Sequence, residues 1–186
     1  MRGVSPQPSG LVSFMPLAIR PTGLHWLPGQ PDNLDLCAHG GVEVVLPSGV
    51  VTAAQDLAVS TGALHLLRAL ARDHIPEAPL AEHLIPHCGH WMVLAPGTTE
   101  PENVGCPSGL NWWVRHENGT VSLQFDQNLI RVSSEEWRRA VARYSTDVLA
   151  FFEASAPKTP PEDDLAWYSA FRHEWRYRQD GALAAV

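Results

Sequence analysis

The stretch L-N-W-W-V-R-H-E-N-G-T-V-S-L-Q-F-D, residues 110–126, decides the fold of this chain. Two runs of alternating apolar and polar residues flank the dipeptide Asn118-Gly119. Asn-Gly between such runs predicts a β-hairpin with a type I′ turn, because both central residues of that turn need a positive φ. The two-residue loop places Glu117 opposite Thr120 and so fixes the register of the two strands.

This register assigns the side chains of the hairpin to two faces, because successive side chains of a strand point to opposite sides of the sheet. The face expected to be buried pairs His116 with Val121, Val114 with Leu123 and Trp112 with Phe125. His116 is therefore expected to be a structural residue. The opposite face carries Asn111, Trp113 and Arg115 across from Asp126, Gln124 and Ser122.

The segments around the hairpin predict an α+β domain. The expected elements are an antiparallel sheet with the Asn-Gly hairpin at its centre, helices packed on one face, and two C-terminal helices. Periodicity and turn residues predict strands near residues 42–46, 50–52, 91–95 and 129–132. Helices are predicted from Ser60 or Thr61 to Asp73, from Ser133 or Ser134 to about residue 156, and from Glu162 to Arg178.

The length and composition of the chain indicate a single domain with irregular ends. The chain has 186 residues, of which 45% are apolar, enough for a sizeable core. Residues 1–33 are rich in Pro, Gly and Ser and predict an irregular arm. Residues 34–180 are expected to form the domain, and residues 181–186 a frayed tail.

Charge and cysteine content narrow the classes of partner and compartment. The net charge of −7 argues against a nucleic-acid partner, because binders of phosphate cluster Lys and Arg. The sequence contains no apolar run long enough to cross a membrane and no signal peptide pattern. Three cysteines is a low, odd number that indicates reduced thiols in the cytoplasm.

Cysteine and histidine placement suggests a zinc site as one candidate. Cys37 and His39 form one C-x-H pair, and Cys88 and His90 form a second pair of identical spacing. Thiolate and imidazole groups are the preferred ligands of zinc, and four of them complete a structural site. His87 and Cys106 are spare ligands. The alternative is that the cysteines are small buried apolar residues, since ordinary zinc motifs have other spacings.

A cysteine nucleophile is a further candidate. Cys88 lies between two histidines, and Cys106 lies in a Gly/Pro-rich loop. A neighbouring imidazolium lowers the pKa of a thiol. Glu82, Glu117 and Asp35 are alternatives for the orienting third group. No assembled catalytic motif is present in the sequence, so a non-enzymatic role is the favoured expectation.

The third candidate is a protein-binding surface that includes Trp113, Arg115 and Asn111. Tryptophan and arginine are typical anchors of protein interfaces. The acid excess of the chain leads us to expect that this surface is acidic. The alternative is that a helix covers this face of the hairpin and makes Trp113 a core residue.

Four motifs carry a resemblance to known sequences: D-L-C-A-H-G-G-V, L-I-P-H-C-G-H, G-C-P-S-G-L-N-W-W-V-R-H-E-N-G, and P-K-T-P-P-E-D-D with F-R-H-E-W-R-Y-R. Together they resemble a group of small uncharacterised bacterial proteins, over about residues 34–178. That group is similar in size and acidity to intracellular immunity proteins of bacterial toxin systems. The resemblance implies a bacterial origin and a single domain, and it assigns no catalytic residue. The expected function, a non-enzymatic protein that binds and occludes another protein, rests instead on the missing catalytic motif, the acid excess and the aromatic content of the chain.

Overall fold

The computed structural model describes residues 16–46, 49, 51–89, 91–104 and 107–185. The fold is α+β, as predicted, with antiparallel strands and two C-terminal helices. The strands are β1 (Ala18–His25), β2 (His39–Val45), β3 (Val51–Ala58), β4 (Ile85–Pro86), β5 (Met92–Val93), β6 (Glu102–Asn103), β7 (Gly109–Leu110), β8 (Trp113–Glu117), β9 (Thr120–Phe125) and β10 (Asn128–Ser133). The helices are α1 (Val59–Arg68), α2 (Ser134–Ala154) and α3 (Leu165–Ala184).

The first sheet has the order β1-β2-β3 and corrects the prediction for the N-terminal arm. Residues 18–25 form strand β1 instead of an irregular segment, with Leu17 and Ile19 in the core. Pro21 lacks an N–H group but is tolerated because β1 is an edge strand. The arm prediction for residues 1–15 falls outside the described residues.

The second sheet has the order β10-β9-β8 and confirms the hairpin prediction in detail. Glu117 faces Thr120, and Val114 faces Leu123. The φ angles of the two turn residues are positive, 42° at Asn118 and 83° at Gly119. The register prediction therefore holds from the turn to the far end of β8.

The expected single sheet is divided into small sheets. Besides the two three-stranded sheets, β4 pairs with β7 and β5 pairs with β6, and each of these strands has two residues. Proline interrupts this part of the chain and removes donors that a longer strand would need. The prolines are Pro76, Pro79, Pro86, Pro96, Pro101 and Pro107.

Helix α1 is the centre of the core, and each of its ten residues is buried. It follows β3 directly, so its N-cap is Ala58 and not Ser60 or Thr61 as predicted. The hydroxyl of Ser60 instead accepts a hydrogen bond from the N–H of Ala38, 3.0 Å away. Arg68 is buried and pairs with Glu174 of α3.

Helix α2 is hydrogen-bonded to both ends of α1. The hydroxyl of Tyr144 donates to the carbonyl of Val59 at 3.2 Å, and the indole N–H of Trp137 donates to the carbonyl of Ala69 at 3.2 Å. Ser133 caps α2, as predicted, by accepting from the N–H of Glu136. Helix α2 also contacts β1, β9 and β10, so it bridges the two larger sheets.

Helix α3 packs its aromatic residues on α1 and α2. Trp167, Phe171 and Trp175 are buried, and their four-residue spacing places them on one side of the helix. The predicted frayed tail is corrected, because α3 continues to Ala184 and Ala182 is buried. Alanine and leucine favour continuation of a helix, which explains the longer α3. None of the described helices is long and apolar enough to cross a membrane.

Candidate functional site

The outward face of the second sheet, opposite the core, carries the strongest candidate site. The register of β10, β9 and β8 sets its side chains in rows of three. Each row takes one residue from each strand, so residues far apart in sequence become neighbours. The two rows of interest are Leu129–Gln124–Trp113, which we call the apolar row, and Arg131–Ser122–Arg115, which we call the arginine row.

A groove of about 200 Å³ lies over these two rows. The loop after α1 contributes Ile75 and Pro76 to the groove beside Trp113. On the opposite strand Leu129 is 58% exposed, although it is a large apolar residue. The groove therefore combines an aromatic residue and an aliphatic residue with the polar groups of the arginine row.

Trp113 is supported on its inner side by a buried histidine. Its ring stacks on the ring of His74 with 4.9 Å between the centroids. The Nε2–H of His74 donates to Oδ1 of Asn111, and Nδ1 of His74 accepts from the N–H of Leu80. Burial lowers the pKa of His74, so this imidazole is neutral at physiological pH.

Asn111 was predicted to contact a partner, but the structure places it behind Trp113, where it holds His74. Its Oδ1 also accepts from the N–H of Leu84 at 3.0 Å. The side chain is half-buried, whereas Arg115 is exposed. Asn111 thus fixes His74, and through it Trp113, at the back of the groove.

The charge of the groove differs from the acidic surface that was expected. Its charged residues are Arg115, Arg131 and Glu117, which gives a local excess of positive charge on a chain with a net charge of −7. Composition gives only the net charge of the whole chain, whereas strand register places Arg115 and Arg131 on one face of the sheet. The groove is therefore suited to an acidic group.

Ser122 lies between the two arginines and is the least expected member of the site. Its side chain is buried, and within the described part of the chain its Oγ has no hydrogen-bond partner. Buried hydroxyl groups are normally hydrogen-bonded. Ser122 lines the groove, and its hydroxyl is a donor without an acceptor among the described residues.

The residues predicted to bind zinc lie in a different part of the molecule, where the two C-x-H segments meet. A Cβ atom added to Gly89 would lie 2.7 Å from Sγ of Cys37, so this contact admits only glycine. His39 and Cys88 line the same cavity of about 410 Å³. His90 is outside the described residues, so the four-ligand set stays a prediction.

Cys37 is a buried thiol surrounded by hydroxyl groups. The hydroxyl of Ser60 donates to its Sγ at 3.4 Å, and Oγ1 of Thr61 lies 3.8 Å from Sγ. Burial raises the pKa of Cys37 to about 11 against the opposing effect of these hydroxyls. Cys37 is therefore protonated at neutral pH, the state that neither binds zinc nor acts as a nucleophile.

His39 is oriented by a carboxylate at the start of β2. Its Nε2 lies 3.6 Å from Oδ2 of Asp35. Burial alone would raise the pKa of Asp35, but the nearby imidazole of His39 and the hydrogen bonds from the N–H groups of Leu27 and Cys37 outweigh it and hold that pKa below its usual value. Of the three carboxylates considered for a thiol mechanism, Asp35 is thus the one that pairs with a histidine of this cavity.

The same cavity contains residues that the sequence did not single out. His25 and Asp56 line it together with His87, whose Nδ1 lies 3.2 Å from Sγ of Cys88. Asp56 has a φ of 55° at the irregularity where β2 pairs with β3. Among the described residues, no three His, Cys, Asp or Glu side chains are close enough to hold a metal ion. Cys106, the spare ligand and alternative nucleophile, is not among these residues.

Sequence reasoning also missed Arg131 and Leu129 as members of the groove. Part of the signal was present, because alternation along the strand predicted near residues 129–132 places both residues on one face of that strand. What was missing was the pairing of that strand with β9, which only the fold supplies.

The chain matches no protein-family model, no curated protein and no solved structure. The geometry of the groove and of the histidine-lined cavity is therefore the basis for the functional proposal.

Proposed function

We propose that this protein is a non-enzymatic binding protein of the immunity type, which acts in the bacterial cytoplasm by covering the functional surface of another protein. The observation that supports this proposal is the groove on the outward face of the second sheet. There Trp113 and Arg115, two residue types that anchor protein interfaces, lie beside the exposed side chain of Leu129.

The surroundings of the groove support a role in binding. Trp113 is braced by His74 and Asn111, so its ring loses little freedom when a partner packs on it. The net charge of −7 and the local positive charge of the groove together favour a protein partner with an acidic contact region over a nucleic acid.

Site-specific photo-crosslinking tests the proposal. A photo-crosslinking amino acid replaces Leu129 in the groove, and in a matched control it replaces Leu183 on α3, which is exposed to a similar degree at 51%. We expect the Leu129 probe to capture a specific protein from the native host and Trp113→Ala to reduce that capture by roughly thirtyfold, as for an interface anchor. Equal capture from both positions, or capture unaffected by Trp113→Ala, contradicts the proposal.

A zinc protein is the second candidate function, and the meeting of the two C-x-H segments at Gly89 favours it. The proposed ligands are Cys37, His39, Cys88 and His90, and the protonated state of Cys37 requires that zinc displace its proton. Elemental analysis of purified protein after incubation with zinc and gel filtration tests it. One zinc per chain that falls in His39→Ala supports this function, and substoichiometric metal contradicts it.

A further inference from the structure

We propose that the groove recognises an extended acidic segment of the partner protein. In this segment an apolar residue lies two positions before or after a Glu or Asp residue. The arginine row holds the carboxylate and the apolar row holds the apolar side chain. This inference rests on the proposed binding function and adds the chemistry of the partner.

The arginine row has the composition of an anion site. Arg131, Ser122 and Arg115 lie side by side on three neighbouring strands. Since neighbouring strands are about 4.8 Å apart, the Cα atoms of the two arginines are separated by about 10 Å with the serine between them. A carboxylate between two guanidinium groups accepts charge-assisted hydrogen bonds from both.

Ser122 supplies an independent indication of a ligand. The residue lines the groove, and its Oγ is buried with no hydrogen-bond partner within the described residues. A hydroxyl group can donate to an anion, and a carboxylate over the arginine row would supply the acceptor. The same atom is unexplained if the face only packs against apolar groups.

The apolar row fixes the spacing of the partner's side chains. Trp113 and Leu129 lie two residues before Arg115 and Arg131 along their strands. The two rows are therefore about 7 Å apart, the distance spanned by two residues of an extended chain. Side chains i and i+2 of such a chain point the same way, so one segment reaches both rows at once.

Peptide titration followed by NMR of the full-length protein tests the inference. The probes are two blocked peptides, acetyl-Thr-Glu-Thr-Leu-Thr-amide and its reversed order acetyl-Thr-Leu-Thr-Glu-Thr-amide. We expect at least one of them to shift the amide resonances of Ser122 and its neighbours in β8 and β10. Replacement of Glu by Gln in that peptide should weaken binding about tenfold, since the charge-assisted bonds are lost. A peptide with Glu and Leu adjacent should bind about as weakly, because its two side chains point to opposite sides.

Protein variants locate the effect. Arg115→Gln and Arg131→Gln change exposed residues and should each weaken binding of the Glu peptide without changing binding of the Gln peptide. Ser122→Ala should weaken binding of the Glu peptide severalfold while the protein stays folded, because it removes a hydroxyl that has no partner among the residues the structure describes. Arg139→Gln, an exposed arginine of α2, is the matched control and should have no effect.

The outcomes separate this inference from the proposed function. Equal binding of Glu and Gln peptides overturns the acidic recognition, and the proposed function then still stands if capture through Leu129 depends on Trp113. Loss of that dependence removes the proposed function itself. Inorganic phosphate that shifts the same resonances and displaces the Glu peptide at equal concentration identifies a free-phosphate site and overturns the peptide assignment.

Discussion

At the scale of single residues, the buried ion pair between Arg68 and Glu174 connects α1 to α3. The guanidinium of Arg68 donates to Oε2 of Glu174 at 2.6 Å, and the side chains are 3% and 8% exposed. Arg178 donates to the other oxygen of the same carboxylate, so Glu174 serves two cations. Removal of a buried partner leaves an uncompensated charge in the core.

We therefore expect Glu174→Ala to lower the free energy of unfolding by about 3–5 kcal/mol, because Arg68 would remain buried without its carboxylate. Chemical denaturation monitored by tryptophan fluorescence measures the change. The control is Glu43→Ala, which removes an exposed pair with Arg20 at 3.5 Å and should cost about 0.5 kcal/mol or less. A similar loss in both variants would show that burial does not set the strength of the Glu174 pair.

The cysteines differ in environment in a way that labelling can detect. Burial raises the pKa of Cys37 to about 11, whereas Cys88 is half-buried with its Sγ 3.2 Å from Nδ1 of His87. We expect iodoacetamide at pH 7.5 to label Cys88 at least tenfold faster than Cys37 in the native protein, since only an accessible thiolate reacts. Mass spectrometry of peptides after brief labelling gives the two rates separately.

Two comparisons test whether Cys37 is buried and protonated. In denaturant the two rates should converge, because the burial of Cys37 is then lost. Native rates that are already equal would contradict the protonated, buried state of Cys37 and would make it available as a zinc ligand.

At the scale of secondary structure elements, two helical glycines provide a matched comparison of packing. A Cβ atom added to Gly62 of α1 would lie 2.7 Å from Cγ2 of Ile85, whereas a Cβ atom added to Gly181 of α3 would meet nothing within 4 Å. Alanine favours the helix over glycine at both positions by about 1 kcal/mol, so the surroundings decide the outcome.

We expect Gly181→Ala to stabilise the protein by about 0.5–1 kcal/mol and Gly62→Ala to destabilise it by about 1–3 kcal/mol through overpacking against β4. Thermal unfolding followed by circular dichroism at 222 nm measures both. Stabilisation by Gly62→Ala would mean that α1 and Ile85 are not in close contact.

Elements with local signals were predictable from the sequence, and elements with distant partners were not. The hairpin was correct because Asn118-Gly119 and the alternation of the strands agree within 17 residues. Strand β1 was missed because its partner is β2, and a Pro- and Gly-rich edge strand has no pattern of its own. The burial of Arg68 has no local signal in the sequence, because its carboxylate partner lies 106 residues away.

The candidate site also divides into features with local sequence signals and features that depend on distant partners. The face that holds Trp113 and Arg115 was predicted from hairpin register alone, whereas predicting that Arg131 joins it would have required the pairing of β10 with β9. That the hydroxyl of Ser122 has no partner in the described part of the chain is a property of packing, which no residue pattern reports.

At the scale of the whole molecule, the core encloses histidines that must stay neutral. Burial, with the nearby charge of Arg68, lowers the pKa of His65 to about 4 from an ordinary value of 6.5, and burial also lowers the pKa of His74. His74 supports Trp113, and His65 lies in the central helix with its Nδ1 3.1 Å from the carbonyl oxygen of His83. Core stability and groove geometry therefore both depend on pH.

The direction of the dependence follows from proton binding. Between pH 6.5 and pH 4 the unfolded chain binds a proton at residue 65 that the folded chain does not bind. The free energy of unfolding should therefore fall as the pH drops from 7 to 5, and His65 alone should contribute a slope of up to about 1.4 kcal/mol per pH unit. His65→Gln should reduce this slope even if it lowers stability at pH 7, because glutamine does not titrate.

Urea unfolding at pH 5, 6 and 7 measures the slope, and the range stays above the pKa values of Glu174 and Asp35, both of which are held below their usual values in the fold. His173→Gln, at an exposed position of α3, is the control and should leave the slope as in the natural chain. A slope unchanged by His65→Gln would contradict the assignment to His65 and would leave His74, whose pKa burial also lowers, as the next described histidine to test. If His74 is that group, Trp113 in the groove would lose its support at the same pH at which the protein loses stability, so peptide binding and stability should fall together.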